Sequence, residues 1–252
     1  MKSNHSLSYR FMSKVFNWAY RKADLLITIG RDMDEVVRNK LGKKVRENST
    51  TIIENWADLD IIFPKYTRVQ DGMVRIQFAG NVGRVQGLPD FLKLYEESNN
   101  QSISLDVWGD GAMRKDLQKY VEENKIDNVT FHGAYKRGDQ NEVLNSCDIA
   151  LVSLSKGMYG LGVPSKSYNI MAAGKPILFI GDLNSEIALE IKEHDMGYAF
   201  SAEEENLIVD WLKHLDVNML EDFMKKGENA RRTVVELYSE KAILDKFYNI
   251  LS

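Results

Sequence analysis

Two glycine-rich segments contain the residues of this sequence with the clearest chemical potential. The first, 160–176, follows an apolar strand-like run and carries Pro164 and Lys166 at the start of a helix predicted over 164–173. Proline suits the first turn of a helix because its missing N–H would have no partner there. Unpaired N–H groups at a helix start, together with a lysine charge, attract anions. The sequence therefore predicts a phosphate site here.

The second segment, 80–87, lies between a predicted strand that ends at Ala79 and a helix with Pro89 near its start. Its glycines allow the backbone to approach a ligand closely, and Arg84 offers a forked set of donors that matches phosphate oxygens. The segment lacks the G-x-G-x-x-G pattern of nicotinamide and flavin sites. A plain tight turn is the alternative for either segment alone. Two such loops at strand ends of one sheet favour a diphosphate ligand.

Two further loops fall at the same predicted edge. Gly109, Asp110 and Gly111 follow one strand and precede a helix predicted over 112–124, and Tyr135 follows another strand. Aspartate often caps helices, so we expect Asp110 to cap this helix rather than to contact a ligand. For Tyr135 two roles stay open, beside a nucleotide base or as a cover for the sheet edge.

Metal and disulfide chemistry have little support in the sequence. Asp58 and Asp60 form a D-x-D pattern, which can hold the metal of a nucleotide diphosphate, but the pattern is remote in sequence from the glycine loops and often arises by chance. None of the four histidines has metal-ligand spacing. Cys147 has no cysteine partner, so we expect a packing role in a reducing compartment.

Composition and pattern bound the class of protein. The chain has 252 residues, 44% of them hydrophobic, and a formal net charge of −4, which argues against a general nucleic-acid partner. No apolar run reaches the roughly 20 residues of a membrane span, and no signal-peptide core precedes the first helix, so we expect a cytoplasmic location.

The order of predicted elements indicates the fold. From residue 73 onward, short apolar runs alternate with helical patterns. Such alternation is typical of βαβ units, so we predict an α/β fold, a doubly wound parallel sheet over 71–252, with its ligand site beyond the carboxyl ends of the strands. Residues 1–70 predict only two short strands and two helices, a small α/β attachment.

The first helix, predicted over 7–22, has basic and aromatic residues at helical spacing. Two roles are open for it. Its aromatic face packs on a neighbouring domain, which we favour, or it lies on a membrane surface as a peripheral contact.

The two loops resemble those of the GT-B, retaining, family 4 glycosyltransferases, especially bacterial enzymes of surface-polysaccharide assembly. Their patterns, G-N-x-G-x-x-Q-G and P-S-K-x-x-E-x-M-A-x-G-K-P, match residues 80–87 and 164–176. Three intervening segments are also similar to the family, at 109–111, 129–133 and 146–150, and 54–58 is similar to its interdomain crossing. The resemblance covers nearly the whole chain. It implies that 71–252 is the Rossmann-like, donor-binding half of a GT-B fold and that 1–70 is the remnant of an acceptor domain and a linker.

The resemblance implies binding of a nucleotide-diphosphate sugar, with UDP as the expected nucleotide, as substrate and without cofactor or metal. Arg84 and Lys166 would be the catalytic residues, neutralising the diphosphate as the sugar–phosphate bond breaks. It also implies a sugar or lipid-linked sugar acceptor. The implied substrate-binding residues are Gly80, Asn81, Gly83, Gln86, Gly87, Gly109, Tyr135, Gly162, Val163, Pro164, Ser165 and Asn169.

Two departures from the family pattern leave a second hypothesis. The first is at the site, where Asn169 stands in place of the family's glutamate and Leu161 in place of another of the broader family. The second is length, because the resemblance implies that most of an acceptor domain is missing. Either the sequence is truncated, or a separate N-terminal half or a homodimer completes the enzyme. The alternative is a non-catalytic nucleotide-sugar-binding module or a subunit of a split transferase, and a sugar-nucleotide epimerase is a weaker third interpretation.

Overall fold

The computed structural model describes residues 7–42, 49–65, 68 and 71–251. Parts of the predicted attachment over 1–70, together with His5 and the terminal Ser252, lie outside the described residues. The attachment contains two helices and a parallel pair of short strands: α1 (Leu7–Tyr20), β1 (Leu26–Thr28), α2 (Arg31–Leu41) and β2 (Thr50–Ile52).

The remaining described residues form a six-stranded parallel sheet and the helices that cover it. Its strands are β3 (Val74–Ala79), β4 (Ile103–Trp108), β5 (Val129–Gly133), β6 (Ile149–Ser153), β7 (Ile177–Gly181) and β8 (Gly197–Ser201). The helices are α3 (Leu88–Ser98), α4 (Arg114–Asn124), α5 (Gln140–Asn145), α6 (Lys166–Ala172), α7 (Glu186–His194), α8 (Glu205–Lys213), α9 (Leu220–Leu237) and α10 (Glu240–Leu251). The doubly wound α/β prediction is confirmed.

Two hydrophobic cores, one on each face of the sheet, follow from the strand sequences. Every residue of β6 and β7 is buried, as expected for central parallel strands that helices cover on both sides. Along these strands successive side chains alternate between the cores: Leu178 and Ile180 join one, Ile177 and Phe179 the other.

Strand order locates the crevice of the fold. The order is β5-β4-β3-β6-β7-β8, so the chain winds outward from β3 in one direction and outward from β6 in the other. Loops that follow these two adjacent strands diverge to opposite faces, which leaves an opening at the carboxyl edge between them. The segments 80–87 and 154–165 leave the sheet at this opening.

Two predicted helix starts are wrong. Helix α6 begins at Lys166 rather than at 164, because the Pro164 carbonyl accepts from the Ser167 N–H, 2.9 Å, as a turn before the helix. Helix α4 begins at Arg114 rather than at 112, and its cap position is Met113. Asp110 therefore does not cap this helix. Its Oδ1 accepts from the Gly111 N–H, 2.8 Å.

The aromatic face of α1 does not pack on a neighbouring domain within the part of the chain that is described. Phe11 is 66% exposed and Trp18 is 63% exposed. The least exposed α1 side chains among those described are Ser13 and Asn17. The helix therefore turns its polar side toward the protein and its apolar side outward. No helix among the described residues is both long and apolar enough to cross a membrane.

Gly227 in the middle of α9 gives a test of this packing. An alanine Cβ there would lie 2.2 Å from the Gly174 carbonyl oxygen, at the end of the loop that closes α6. Alanine normally stabilises a helix by about 1 kcal/mol relative to glycine. Because the obstacle is backbone, we expect Gly227→Ala to destabilise by about 2 kcal/mol in urea unfolding. As a control, Lys225→Ala at an exposed position of the same helix should change the unfolding free energy by no more than about 0.5 kcal/mol. A Gly227→Ala variant more stable than the wild type would contradict the close contact with Gly174.

Candidate functional site

The two predicted loops meet where they leave the sheet. The Ser155 N–H donates to the Val85 carbonyl, 3.0 Å, and the Ser155 hydroxyl donates to the Arg84 carbonyl, 3.2 Å. Gly87 has φ +66°, and a Cβ there would lie 3.2 Å from the Leu154 carbonyl carbon. The segment 80–87 is thus fixed against the end of β6, and its glycine is needed both for the turn and for the close approach.

A third loop supports the first from the other side. The Gly80 N–H donates to the Trp108 carbonyl, 2.9 Å, and the Val82 N–H donates to the Asp110 carbonyl, 2.9 Å. A Cβ on Gly109 would lie only 1.8 Å from the Gly80 carbonyl oxygen. Gly109 therefore serves loop packing, a role that its position in the sequence did not reveal.

Lys166 lies beside the first loop, although 86 residues separate it from Gly80 in sequence. Its Cδ would be 3.6 Å from a Cβ on Gly80, and its Nζ is 3.7 Å from the centroid of the Phe78 ring. Apart from that ring, no described residue is a bonding or ion-pair partner of Nζ. The side chain is partly buried, and burial lowers the pKa of Lys166 to about 7. A buried ammonium without a counter-ion favours an anionic ligand.

The polar residues of the first loop remain open to solvent. Arg84 and Asn81 are exposed, and the guanidinium of Arg84 pairs with no carboxylate in the described part of the chain. A Cβ on Gly83 would lie 2.9 Å from the Asn81 amide nitrogen, so Gly83 leaves room for that side chain. Gln86 contributes its carbonyl, which accepts from the Ser153 hydroxyl.

The residues before α6 form the opposite wall of the crevice. Gly162 has free space where a Cβ would be, and Ser165 is exposed at the helix start. Val163 is buried under the N-terminal attachment, where a Cβ on Gly30 would lie 2.7 Å from its Cγ2. Val163 therefore anchors this wall rather than facing the crevice. Helix α6 has seven residues, so the Lys166 charge is the clearer anion-binding feature.

Tyr135 lies at the far end of the crevice, after β5. Its ring meets Trp108 edge-on, with ring centroids 6.3 Å apart, and burial raises its pKa. Trp108 also stacks on His132, with centroids 4.0 Å apart. Both roles of Tyr135 stay open, since it covers the sheet edge and also presents an aromatic surface. Sequence reasoning missed Trp108, which only the alignment of β4 and β5 brings to Tyr135.

Asn169 faces the segment that joins the two parts of the chain. Its Oδ1 accepts from the Asp58 N–H at 3.4 Å, and the Asp58 carboxylate pairs with Arg137 at 2.6 Å. The structure thus brings Asn169 to the linker rather than to the glycine loops. One carboxylate of the D-x-D pattern already has a cationic partner.

One cluster of side chains bears on the metal expectation for the histidines. Glu190, Glu193 and His194 lie close enough to share an ion, a clustering that the sequence analysis did not anticipate. The Arg31 guanidinium lies 2.6 Å from Glu193 and 3.4 Å from Glu190, so a cation of the chain itself already occupies this place.

Two of the cavities among the described residues border the sheet. One of about 350 Å³ lies between the loops that follow β6, β7 and β8, bordered by Ser155, Tyr159 and Asn184. Another of about 730 Å³ lies at the amino edge, near Asp148 and Pro176. Because ligands of doubly wound sheets bind at the carboxyl edge, the smaller cavity is the one that extends the crevice.

Comparison with known proteins decides the family. Residues 63–233 match the family model described as Glycosyl transferases group 1. The chain belongs to this family. It is 32% identical over 253 residues to the probable glycosyltransferase WbjE of Pseudomonas aeruginosa, covering 96% of this chain and 61% of WbjE. It is 23% identical over 194 residues to the putative colanic acid biosynthesis glycosyl transferase WcaI of Escherichia coli K12, covering 73% of this chain and 47% of WcaI.

The fold of this group 1 chain is similar to that of solved glycosyltransferases. Superposed on the crystal structure of Anabaena HepE in complex with UDP and glucose, it gives a TM-score of 0.72 at 15% identity, covering 100% of this chain and 70% of HepE. The GT-B resemblance is therefore confirmed at the level of the fold. The chain spans less than two thirds of either curated relative.

The unpartnered lysine should make stability depend on pH. Lysine titrates near 10.4 in an unfolded chain, whereas burial lowers the pKa of Lys166 to about 7. Between these values the unfolded state binds one more proton, so stability rises with pH. From pH 7 to 9 we expect the wild type to gain more than about 1 kcal/mol of unfolding free energy relative to Lys166→Met, measured by urea titration. The exposed Lys119→Met is the control, and its unfolding free energy should depend on pH as that of the wild type does. The same pH dependence in Lys166→Met would show that Lys166 is solvated and would contradict the expectation.

Proposed function

We propose that this chain is the donor-binding half of a retaining, metal-independent glycosyltransferase that uses a UDP-sugar. The observation that carries the proposal is the Lys166 ammonium, partly buried at the opening between β3 and β6 and without a counter-ion among the described residues. The diphosphate of a nucleotide sugar supplies the missing negative charge. The likeness to HepE, which was crystallised with UDP and glucose, supports the choice of ligand.

The crevice suggests how the ligand lies. The diphosphate occupies the opening between the two loops, within reach of Lys166 and Arg84. The nucleoside extends toward Tyr135 at the β5 end, and the sugar extends toward the cavity of about 350 Å³ at the β7 and β8 end. The strand order supports this orientation because the two features lie on opposite sides of the opening.

Catalysis consists of stabilising the leaving group. The bond between the anomeric carbon and the diphosphate oxygen breaks, the acceptor hydroxyl takes the sugar with retention of configuration, and charge develops on the departing UDP. Lys166 and Arg84 neutralise that charge in place of a metal ion. Removing one such donor typically costs about 100-fold or more in rate.

The proposal also covers the acceptor. We place the acceptor among sugars or lipid-linked sugars of a bacterial surface polysaccharide, in the cytoplasm, and the name of WcaI supports this role. In this proposal residues 71–252 bind the donor, and residues 1–70 belong to the acceptor side and the linker.

A second function has one observation in its favour. Asn169 contacts the linker through its side-chain oxygen, and Leu161 is 56% exposed where the broader family has a carboxylate. Neither residue offers the negative charge that would hold sugar hydroxyls strongly. A nucleotide-sugar-binding module without transfer activity would also have this arrangement.

Calorimetric titration with UDP in EDTA tests the donor site. We expect metal-independent binding that Lys166→Ala and Arg84→Ala each weaken at least about tenfold, since each removes a charge-assisted contact to phosphate. Lys119→Ala, on the exposed side of α4, is the matched control and should bind as the wild type does. Equal affinity of all four proteins, or binding only with added Mg²⁺, would refute the site.

Transfer assays then separate the two functions. The chain is mixed with the N-terminal part of WbjE and assayed with UDP-sugars and lipid-linked acceptors. Sugar transfer supports the transferase, whereas UDP binding without transfer supports the module.

We also propose that α1 contacts an anionic membrane surface. Residues 7–22 contain four basic and no acidic residues, and the apolar side of α1 is exposed. Such a helix lies in the interface with its apolar face among the lipids.

Vesicle flotation tests this contact. The chain should bind phosphatidylglycerol–phosphatidylcholine vesicles at least about tenfold more tightly than pure phosphatidylcholine, because of its basic residues. The double variant Phe11→Ser/Trp18→Ser should lose binding, and Tyr248→Ser, which changes a 69% exposed aromatic on α10, should not. Failure to bind either vesicle, together with a dimer in solution that the double variant abolishes, would assign the face to a second copy instead.

A further inference from the structure

The loop that leads to Lys166 is held from outside the sheet by the N-terminal attachment. The Gly160 N–H donates to Asp32 Oδ2 at 3.3 Å, and Asp32 is only 3% exposed. Asp32 is in the first turn of α2, and its other oxygen accepts from the Met33 N–H at 2.8 Å. A buried carboxylate thus connects the start of this helix to the middle of the loop.

Close packing also holds the Gly160 backbone against α2. Gly160 has φ +66°, and a Cβ there would lie 2.4 Å from the Val36 side chain and 2.9 Å from the Asp32 carbonyl oxygen. One residue earlier, the Tyr159 hydroxyl donates to Glu35 at 2.6 Å. The loop backbone therefore lies directly on α2, with hydrogen bonds on either side of the contact.

Helix α2 is itself fixed to the main sheet domain. The Arg31 backbone N–H and guanidinium both donate to Glu186, and the guanidinium also reaches Glu193 at 2.6 Å. Both glutamates are on α7, which follows β7. The attachment thus bridges the loop after β6 and helix α7, which follows β7.

We infer that Asp32 is a positioning residue of the donor site and that α2, although it belongs to the attachment, sets the shape of the 157–165 loop. The inference rests on the proposed function in so far as this loop contacts the donor. In this inference Asp32 acts through the Gly160 backbone rather than by contacting the donor. By holding Gly160 it limits how far the loop can move from the crevice, and so it fixes where Ser165 and Lys166 begin the next helix.

Amide hydrogen exchange of the ligand-free protein tests the contact itself. Asp32→Ala should speed exchange across 158–164 at least about tenfold, as expected for the loss of a buried hydrogen bond to a charged acceptor. Asp32→Asn keeps an acceptor oxygen of the same size and should restore most of the protection. Asp34→Ala removes another carboxylate from the first turn of α2, one that pairs with Arg38 instead, and should leave the loop unchanged.

UDP titration of the same variants tests the consequence for the donor site. We expect Asp32→Ala to weaken UDP binding about tenfold while Asp34→Ala stays within about twofold, because only the first releases the loop. Should Asp32→Ala fail to fold, Tyr159→Phe replaces it and should speed exchange at 158–161.

The outcomes separate this inference from the donor-site proposal. Unchanged exchange over 158–164 in a folded Asp32→Ala, or an equal effect of Asp34→Ala, would overturn the positioning role. A wild type that binds no UDP would refute the donor site, while the exchange data would still decide the role of Asp32.

Discussion

The parallel pairing of β3 with β6 is the constraint on which the rest of the structure depends. Chain direction forces the loops after these strands to opposite faces, so the crevice exists wherever this strand order is kept. The loops around the crevice are then held in place by close contacts between their backbones. Gly109 lies so close to Gly80 that no side chain fits there, and Gly87, with φ +66°, lies in tight contact with the end of β6.

The crevice contains a charged side chain, that of Lys166, whose burial costs free energy. Lys166 is held against the Phe78 ring, partly buried and without a carboxylate, where an uncharged side chain would cost less. Proteins accept such costs at binding sites, where a ligand supplies the missing partner. The surrounding apolar core, including fully buried β6 and β7, is rigid enough to keep the lysine in this position.

The N-terminal attachment also shapes the carboxyl edge of the main sheet. Through Asp32 and Glu35 it contacts the loop after β6, and through Arg31 it contacts α7. Its own two-stranded sheet is too small to be stable alone, so these contacts also maintain the attachment. The contacts that stabilise the attachment therefore also fix the position of the loop after β6.

The sequence by itself determined the alternation of strands and helices, the doubly wound class and the two glycine loops, because hydrophobic periodicity and glycine–proline patterns are local. It also predicted an anion-binding role for Lys166, two residues after Pro164. It did not determine the start of α6, the engagement of Asn169 with the linker, the role of Gly109 or the contact of Asp32 with Gly160. The last three depend on residues 29 to 128 positions apart that only the packed structure brings together, and no local pattern encodes such distances.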